Sequence, residues 1–248
     1  MFNGLRQKMT AEKKKMSKMA PREKREYILE YYKVHIGFLV LFVAAVAGIL
    51  WQLIFNNQKA VYNFAIVNEI MDVERDKNMM EALSVFWALN PRSEKVVVDS
   101  NYNIPYLYDE QTDQMLYADG SPAADYSTYD KFFLNLSGGV IDAAVIPEDF
   151  LNYCNGLDTY FYDLELILPE DFLNTYSGRF CYGTDVWGEQ HLFGLFMDGT
   201  DFDPAYFAAS ADKEVQEAYG RQVLVFPKTQ KNGGRNEAFI RFLMEQHS

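Results

Sequence analysis

The residue types that most often carry catalysis form no recognised catalytic pattern in this chain. The three histidines, His35, His191 and His247, are widely separated, and the motifs HExxH, GxSxG, GxGxxG and GxxxxGK[ST] are absent from the sequence. Ser210 and Lys213 have the SxxK spacing, but the companion motifs of penicillin-binding enzymes are missing. We therefore predict that the protein is not an enzyme, that it holds no metal and that it needs no cofactor.

Two other groups of side chains have a plain structural explanation. Asp198, Asp201 and Asp203 could present carboxylates to calcium, but their spacing is not that of an EF-hand and favours a solvated turn. Cys154 and Cys181 could form one disulfide. Because Cys181 lies in an apolar, strand-like run, the sequence favours two free thiols instead.

Tyrosines are concentrated where a loop and a hairpin are predicted. Rings in such a region cannot all lie in a core, so they could stack on sugars or pack against a protein partner. A hairpin that covers itself is an equal alternative. The predicted partner-contact residues are Tyr102, Tyr106, Tyr108 and Tyr117.

One segment, residues 36–55, contains 20 residues and no ionisable group. A helix of that length spans the roughly 30 Å hydrocarbon core of a bilayer. The predicted interface anchors at its two ends are Tyr31, Tyr32, Lys33 and Trp51. A cleaved signal peptide is the competing interpretation, but its best cleavage motif, at residues 45–47, lies inside the apolar run. We therefore predict an uncleaved transmembrane signal-anchor helix.

Charge divides the chain at the same place. Of the net charge of -12, residues 1–35 contribute +6 and the remainder -18. The positive-inside rule then places 1–35 in the cytoplasm and the acidic domain, 56–248, outside the cell membrane. An acidic surface of this size excludes nucleic acid as a partner.

The domain 56–248 alternates between the periodicities of strands and helices. Strands are predicted at 61–67, 95–99, 140–146, 179–182, 191–197 and 222–226, and a hairpin at 106–108 and 115–117. Helices are predicted at 72–89, 126–136 and 236–246, and also after Pro147 and Pro169, which open the same six-residue phrase. This pattern indicates a single α/β domain with a mainly parallel or mixed sheet.

Several stretches of the domain resemble a known family. Residues 137–147, SGGVIDAAVIP, followed by Phe150, are similar to a segment of the type II periplasmic, or solute-binding, proteins. Residues 223–228 and 236–243 are similar to the return strand and final helix of that family. The N-terminal Tyr-Tyr-Lys-x-His before a single span also resembles membrane proteins of Gram-positive anaerobic bacteria. The resemblance implies a bilobed α/β fold, reduced in size, that captures a ligand.

In such a fold a solute would lie in the cleft beyond the strand ends, where backbone N–H groups and helix N-termini can meet it. The ligand-binding candidates implied are Tyr126, Ser127, Tyr129, Ser137, Gly138, Gly139 and Asp142. The two glycines and Asp142 also have simpler structural roles open to them. The glycines could only turn the chain, and Asp142 could be a hydrogen-bonded buried carboxylate or the exposed start of a strand.

Two functions follow from these observations. The first is a membrane-tethered module outside the cytoplasm that binds or senses a small solute, without catalysis. The alternative is a structural or assembly subunit of a cell-envelope complex, which docks a protein through its aromatic-rich domain. A filled or shallow cleft would favour the alternative.

Overall fold

The structure, a computed structural model, describes residues 13–55, 58–68, 73–200, 202 and 220–245. The chain forms two compact units, Met1–Asn57 and Gln58–Ser248, which we call the N-terminal unit and the C-terminal unit. The boundary between them falls two residues after the predicted apolar segment.

The N-terminal unit contains one long helix. Helix α1 (Pro21–Phe55, 35 residues) begins at a proline, whose fixed φ suits a first helical turn. It continues from the basic flank through the predicted apolar segment. Its stretch Lys33–Gln52 has a mean hydropathy of 2.4 and no buried residue. Among the described residues, this helix is long and apolar enough to cross a bilayer.

The predicted membrane-interface residues are described in part. Lys33 is exposed, and Trp51 is 67% exposed, as an interface anchor needs to be. The side chains of Tyr31 and Tyr32 lie outside the described residues, so their role stays a prediction.

The C-terminal unit is built from alternating strands and helices. Its described strands are β1 (Lys59–Val67), β2 (Glu94–Tyr102), β3 (Leu107–Asp109), β4 (Gln114–Leu116), β5 (Ala143–Pro147), β6 (Phe180–Thr184), β7 (Gln190–Phe196) and β8 (Gln222–Val225). Its described α-helices are α2 (Val73–Phe86), α3 (Ser127–Ser137), α4 (Glu148–Leu157), α5 (Leu164–Ile167), α6 (Glu170–Thr175) and α7 (Asn236–Glu245). The predicted α/β class is confirmed.

Six strands form one sheet in the order β2-β1-β5-β8-β7-β6. Strand β1 runs parallel to both β2 and β5. Strand β8 lies antiparallel between β5 and β7, and β6 pairs antiparallel with β7. The sheet is therefore mixed, as the sequence predicts. Strands β3 and β4 form the predicted hairpin as a separate two-stranded sheet.

Apolar side chains fill both faces of the six-stranded sheet. On β1, Tyr62, Phe64 and Ile66 belong to one core, and Ala65 and Val67 to the other. This division follows because successive side chains of a strand point to opposite faces. Helices α2 and α7 complete the first core, and α3 and α4 complete the second. Two large apolar layers therefore hold the sheet between helices.

The repeated Pro-Glu-Asp-Phe-Leu-Asn phrase gives two similar helix starts, as predicted. Pro147 and Pro169 are extended residues that cap α4 and α6, and two acids follow in each first turn. These acids are favourable near the positive end of the helix dipole. The helices differ in length, with ten residues in α4 and six in α6.

Two local predictions are wrong. The strand predicted to begin at Val140 begins at Ala143, because Val140 is exposed and the chain bends at Asp142. Helix α2 is predicted to run to residue 89 and to bury Phe86 and Trp87, but it ends at Phe86, which is 50% exposed, and Trp87 lies in the turn that follows. The bilobed arrangement implied by the resemblance is not confirmed, since the described residues contain one six-stranded sheet.

Both cysteines are buried and free. Burial raises the pKa of the Cys154 thiol far above its ordinary value and that of Cys181 to about 12, so neither is a thiolate near neutral pH. We predict that a thiol reagent, used without reductant, modifies both cysteines in unfolded protein and neither of them rapidly in folded protein. Mass spectrometry counts the modified thiols. Two unmodified cysteines in unfolded, unreduced protein would instead indicate a disulfide.

Candidate functional site

Open α/β sheets hold their ligands at the carboxyl ends of their parallel strands, which in this protein are the ends of β1, β2 and β5. Asn68 follows β1, and its Oδ1 accepts a hydrogen bond from the Ile104 N–H at 2.5 Å. Tyr106 packs its ring 5.3 Å from that of Phe150, in the first turn after β5. Ile104 and Tyr106 are 0% and 6% exposed. The chain therefore fills the crevice between the ends of β1 and β5 with its own side chains.

The predicted Gly138-Gly139 turn is covered by another part of the chain. Thr229 donates its hydroxyl to the carbonyl of Leu136, and Lys231 Nζ donates to the carbonyl of Gly138 at 3.1 Å. Gly139 is buried and has φ +62°, a conformation that favours glycine. These glycines let two segments of the same chain approach closely.

Asp142 is the buried, hydrogen-bonded carboxylate that the sequence left as one of its alternatives. It is 1% exposed and precedes β5. Its oxygens accept hydrogen bonds from the Asn63 N–H at 2.9 Å, from the Lys231 and Asn232 N–H groups at 3.2 and 3.1 Å, and from the Asn232 amide at 2.9 Å. Asp142 therefore fastens the segment after β8 to the sheet, and its oxygens are already occupied.

Three of the four remaining ligand candidates lie far along α3 from Gly138, Gly139 and Asp142. Tyr126, Ser127 and Tyr129 lie at the start of α3, whereas Ser137 lies at its end, about 15 Å along the helix axis from Ser127. Ser127 donates to Asp125 through its N–H at 2.9 Å and its hydroxyl at 2.6 Å. The Tyr129 hydroxyl lies 3.0 Å from that of Tyr153. The structure thus divides the seven candidates between two places.

The four predicted partner-contact tyrosines are also divided. Tyr102 and Tyr106 are 3% and 6% exposed and belong to the second core. Tyr108 is 57% exposed and donates its hydroxyl to Asp113, and Tyr117 is half-buried. Two of the four therefore have little surface to offer a partner.

A more exposed aromatic side chain, Trp187, lies on the turn between β6 and β7. The sequence analysis did not single it out. Trp187 is 72% exposed. The Oδ1 atom of Asp185 accepts hydrogen bonds from the N–H groups of Trp187 and Glu189, both at 2.9 Å. The N–H of Asp185 donates to the Glu189 carbonyl at 2.9 Å, and Gly188 has φ +85°. We call residues 185–189 the Trp187 turn; its backbone is fixed while its largest apolar side chain faces solvent.

A charged group supports the base of the Trp187 turn. His191 Nδ1 lies 3.0 Å from Asp163 Oδ2, and its Nε2 lies 3.3 Å from Asp185 Oδ2 and 4.0 Å from Glu189 Oε2. The hydrogen bond with Asp163 is the largest cause that raises the pKa of His191 above its usual value. The sequence showed His191 in a strand but gave no sign of Asp163, which lies 28 residues earlier.

An open cleft of about 340 Å³ lies beside α2 and the carboxyl end of β2. The Ser100 hydroxyl donates to the carboxylate of Asp76, which is 8% exposed, and Asp99 forms an ion pair with Lys131 at 2.8 Å. The lining residues are Val73, Asp76, Lys77, Met80, Val98, Asp99, Ser100 and Asn101. This cleft combines apolar walls with charged groups and could hold a small polar molecule.

The close approach at the glycine turn gives a stability prediction. A Cβ on Gly139 would collide with the carbonyl oxygen of Thr229, whereas Gly120, with φ +78°, has nothing within 4 Å of such an atom. We expect Gly120→Ala to cost about 1–2 kcal/mol through its backbone conformation, and Gly139→Ala to cost about 1–3 kcal/mol more through overpacking. Denaturant unfolding of the two variants measures the difference. Equal losses would contradict the packing described for Gly139.

Comparisons with known proteins add no relative to this description. No family model, no curated protein and no solved structure matches the chain.

Proposed function

We propose that this chain is a membrane-anchored protein of the cell envelope whose C-terminal unit docks a protein partner through the Trp187 turn, outside the cytoplasm. The observation that carries the proposal is a tryptophan 72% exposed on a turn whose backbone is fixed by Asp185. Tryptophan is enriched among the residues that supply most of the binding energy at protein interfaces. A fixed turn also reduces the ordering cost of binding.

In this proposal, helix α1 anchors the protein in the membrane. Lys33–Gln52 is long and apolar enough to span, and the lysines and arginines concentrated before it favour a cytoplasmic N-terminus. A single span then carries the C-terminal unit on the opposite side of the membrane. Docking from such a tether would assemble a complex at the membrane surface.

The surroundings of Trp187 suggest the chemistry of the partner. Val186 is 42% exposed and Tyr182, on β6, is 48% exposed, so other apolar surface is close in the chain. Asp185 and Glu189 flank the tryptophan within the turn, and the region after residue 35 carries a net charge of -18. We expect a partner with an apolar pocket for the indole ring and basic residues around it, because complementary charge speeds encounter.

Replacement of the indole ring tests the docking proposal. We expect Trp187→Ala to weaken partner binding about 30-fold, the effect of losing a contact worth about 2 kcal/mol. The measurement is quantitative co-purification from membranes solubilised in mild detergent. Tyr108→Ala is the matched control, since Tyr108 is also exposed, on the β3–β4 hairpin.

Thermal unfolding of both variants establishes that each is folded before binding is compared. Partner recovery that is unchanged in Trp187→Ala would contradict docking through the turn. Recovery that is lost in Tyr108→Ala and kept in Trp187→Ala would place docking at the hairpin predicted from the sequence.

A second candidate function, the solute binding implied by the resemblance, is favoured by the cleft beside α2. Its volume of about 340 Å³ suits a small molecule. Asp76, which is buried and bonded to Ser100 and Arg75, and Asp99, which is half-buried and paired with Lys131, line it with carboxylates that a cationic or hydroxyl-bearing solute would have to share with these partners. The site differs from the one predicted, because the crevice between β1 and β5 is filled.

A blocking substitution tests this second function. A solute that binds the cleft stabilises the folded protein by about 2.7 kcal/mol at 100 times its Kd, and so raises the Tm. We expect Met80→Trp to fill the cleft and abolish that rise, while Val85→Trp, on an 81% exposed position of the same helix, retains it. A broad panel of solutes that leaves the Tm unchanged would contradict solute binding.

A further inference from the structure

The histidine and carboxylates in and beside the Trp187 turn form an ion-pair cluster, and the same residue types also make up metal sites. His191, Asp185 and Glu189 each offer one ligand atom, and these atoms lie within 4.8 Å of one another. The three residues come from the turn and the start of β7, so the β6–β7 hairpin positions all of them. A fourth residue, Asp163, contacts the opposite nitrogen of the imidazole.

We infer that Asp185, Glu189 and His191 bind one zinc ion, with Asp163 as the residue that orients the histidine. A tetrahedral zinc ion with bonds of about 2.0–2.2 Å separates neighbouring ligand atoms by about 3.3–3.6 Å. The Nε2 atom of His191 and Oδ2 of Asp185 are already 3.3 Å apart. Glu189 Oε2 lies 4.0 Å from the same nitrogen on a side chain that is 76% exposed, and a small rotation of that side chain would bring the oxygen to the required separation.

The first two ligands are oriented by groups that do not compete with the metal. Asp163 Oδ2 holds His191 Nδ1 at 3.0 Å, and Asp163 is itself held by the Glu165 N–H at 3.0 Å through its other oxygen. A carboxylate on the far nitrogen is the usual support of a metal-binding histidine, because it fixes the ring and leaves the other nitrogen for the ion. Asp185 uses Oδ1 for the backbone of the turn, which leaves Oδ2 directed at Nε2.

The ligand set favours zinc over the common hard cations. An imidazole with carboxylates suits zinc, whereas calcium takes six to eight oxygen ligands and magnesium retains several waters. Three protein ligands also leave a fourth position for water, as in zinc sites that are open to solvent. The His191 side chain is 27% exposed, so an ion can reach it.

Zinc bound at this place would fix the Glu189 side chain and join the two ends of the Trp187 turn. Zinc binding at the turn is a property separate from docking. It stands if Trp187 proves to contact no partner.

Zinc binding by the full chain in detergent tests the inference. After treatment with a chelator, equilibrium dialysis against zinc chloride should load one ion whose binding depends on this cluster. We expect His191→Gln and Glu189→Gln each to weaken zinc binding at least tenfold, and Asp163→Asn to weaken it about 10–100-fold through loss of orientation. Glu170→Gln, which removes the same charge from an exposed position on α6, should bind zinc as the unaltered chain does.

Two further readouts separate a zinc site from an ion-pair cluster. Cobalt(II), substituted for zinc, should give visible absorption bands typical of tetrahedral coordination, and these should disappear in Glu189→Gln. Zinc, but not calcium or magnesium at the same concentration, should raise the Tm. Glu189 is exposed and its backbone bonds are retained in Glu189→Gln, so this variant keeps the test valid if His191→Gln fails to fold. Zinc binding that is absent, or equal in Glu189→Gln and the unaltered chain, would overturn the inference.

Discussion

The constraint on which the rest of the account depends is the apolar surface of helix α1. Along Lys33–Gln52 none of its residues is buried, and large side chains such as Phe38 and Leu41 are about two-thirds exposed. Each 100 Å² of such surface costs roughly 2.5 kcal/mol in water, whereas a bilayer accepts it without that cost. The helix satisfies its own backbone hydrogen bonds, which is the other requirement for crossing lipid. In the proposed topology, the basic flank and the acidic C-terminal unit lie on opposite sides because this one element lies between them.

Within the C-terminal unit, the sheet crevice is filled, so the proposed binding surfaces lie around it rather than in it. Ile104 and Tyr106 fill the space beyond β1 and β5, and the segment after β8 covers Gly139. The same segment is fastened to the sheet by its backbone hydrogen bonds to Asp142. The surfaces left for a partner or solute to bind are on the exterior, and they include the Trp187 turn and the shallow cleft beside α2. This arrangement favours docking as the primary proposal.

Local patterns in the sequence predicted the elements well, because apolar runs and Pro-Glu-Asp starts act over a few residues. They did not predict that β8 inserts antiparallel between β5 and β7, since pairing order depends on contacts across the whole chain. The glycine turn illustrates the same limit. Its sequence allowed either a ligand contact or a plain turn, and the group that approaches Gly139 is Thr229 of the same chain. His191 and Asp163 likewise acquire a chemical role only when the fold brings them together.

Labelling from outside the cell tests the anchored topology most directly. The native cysteines are buried, so single cysteines introduced as Lys14→Cys and Gly178→Cys, both at exposed positions, report on the two units. A membrane-impermeant maleimide is applied to intact cells that produce the full chain, and again after the cells are opened. The account predicts that Gly178→Cys is labelled in intact cells and Lys14→Cys only in opened cells. Labelling of Gly178→Cys that requires opened cells would contradict it.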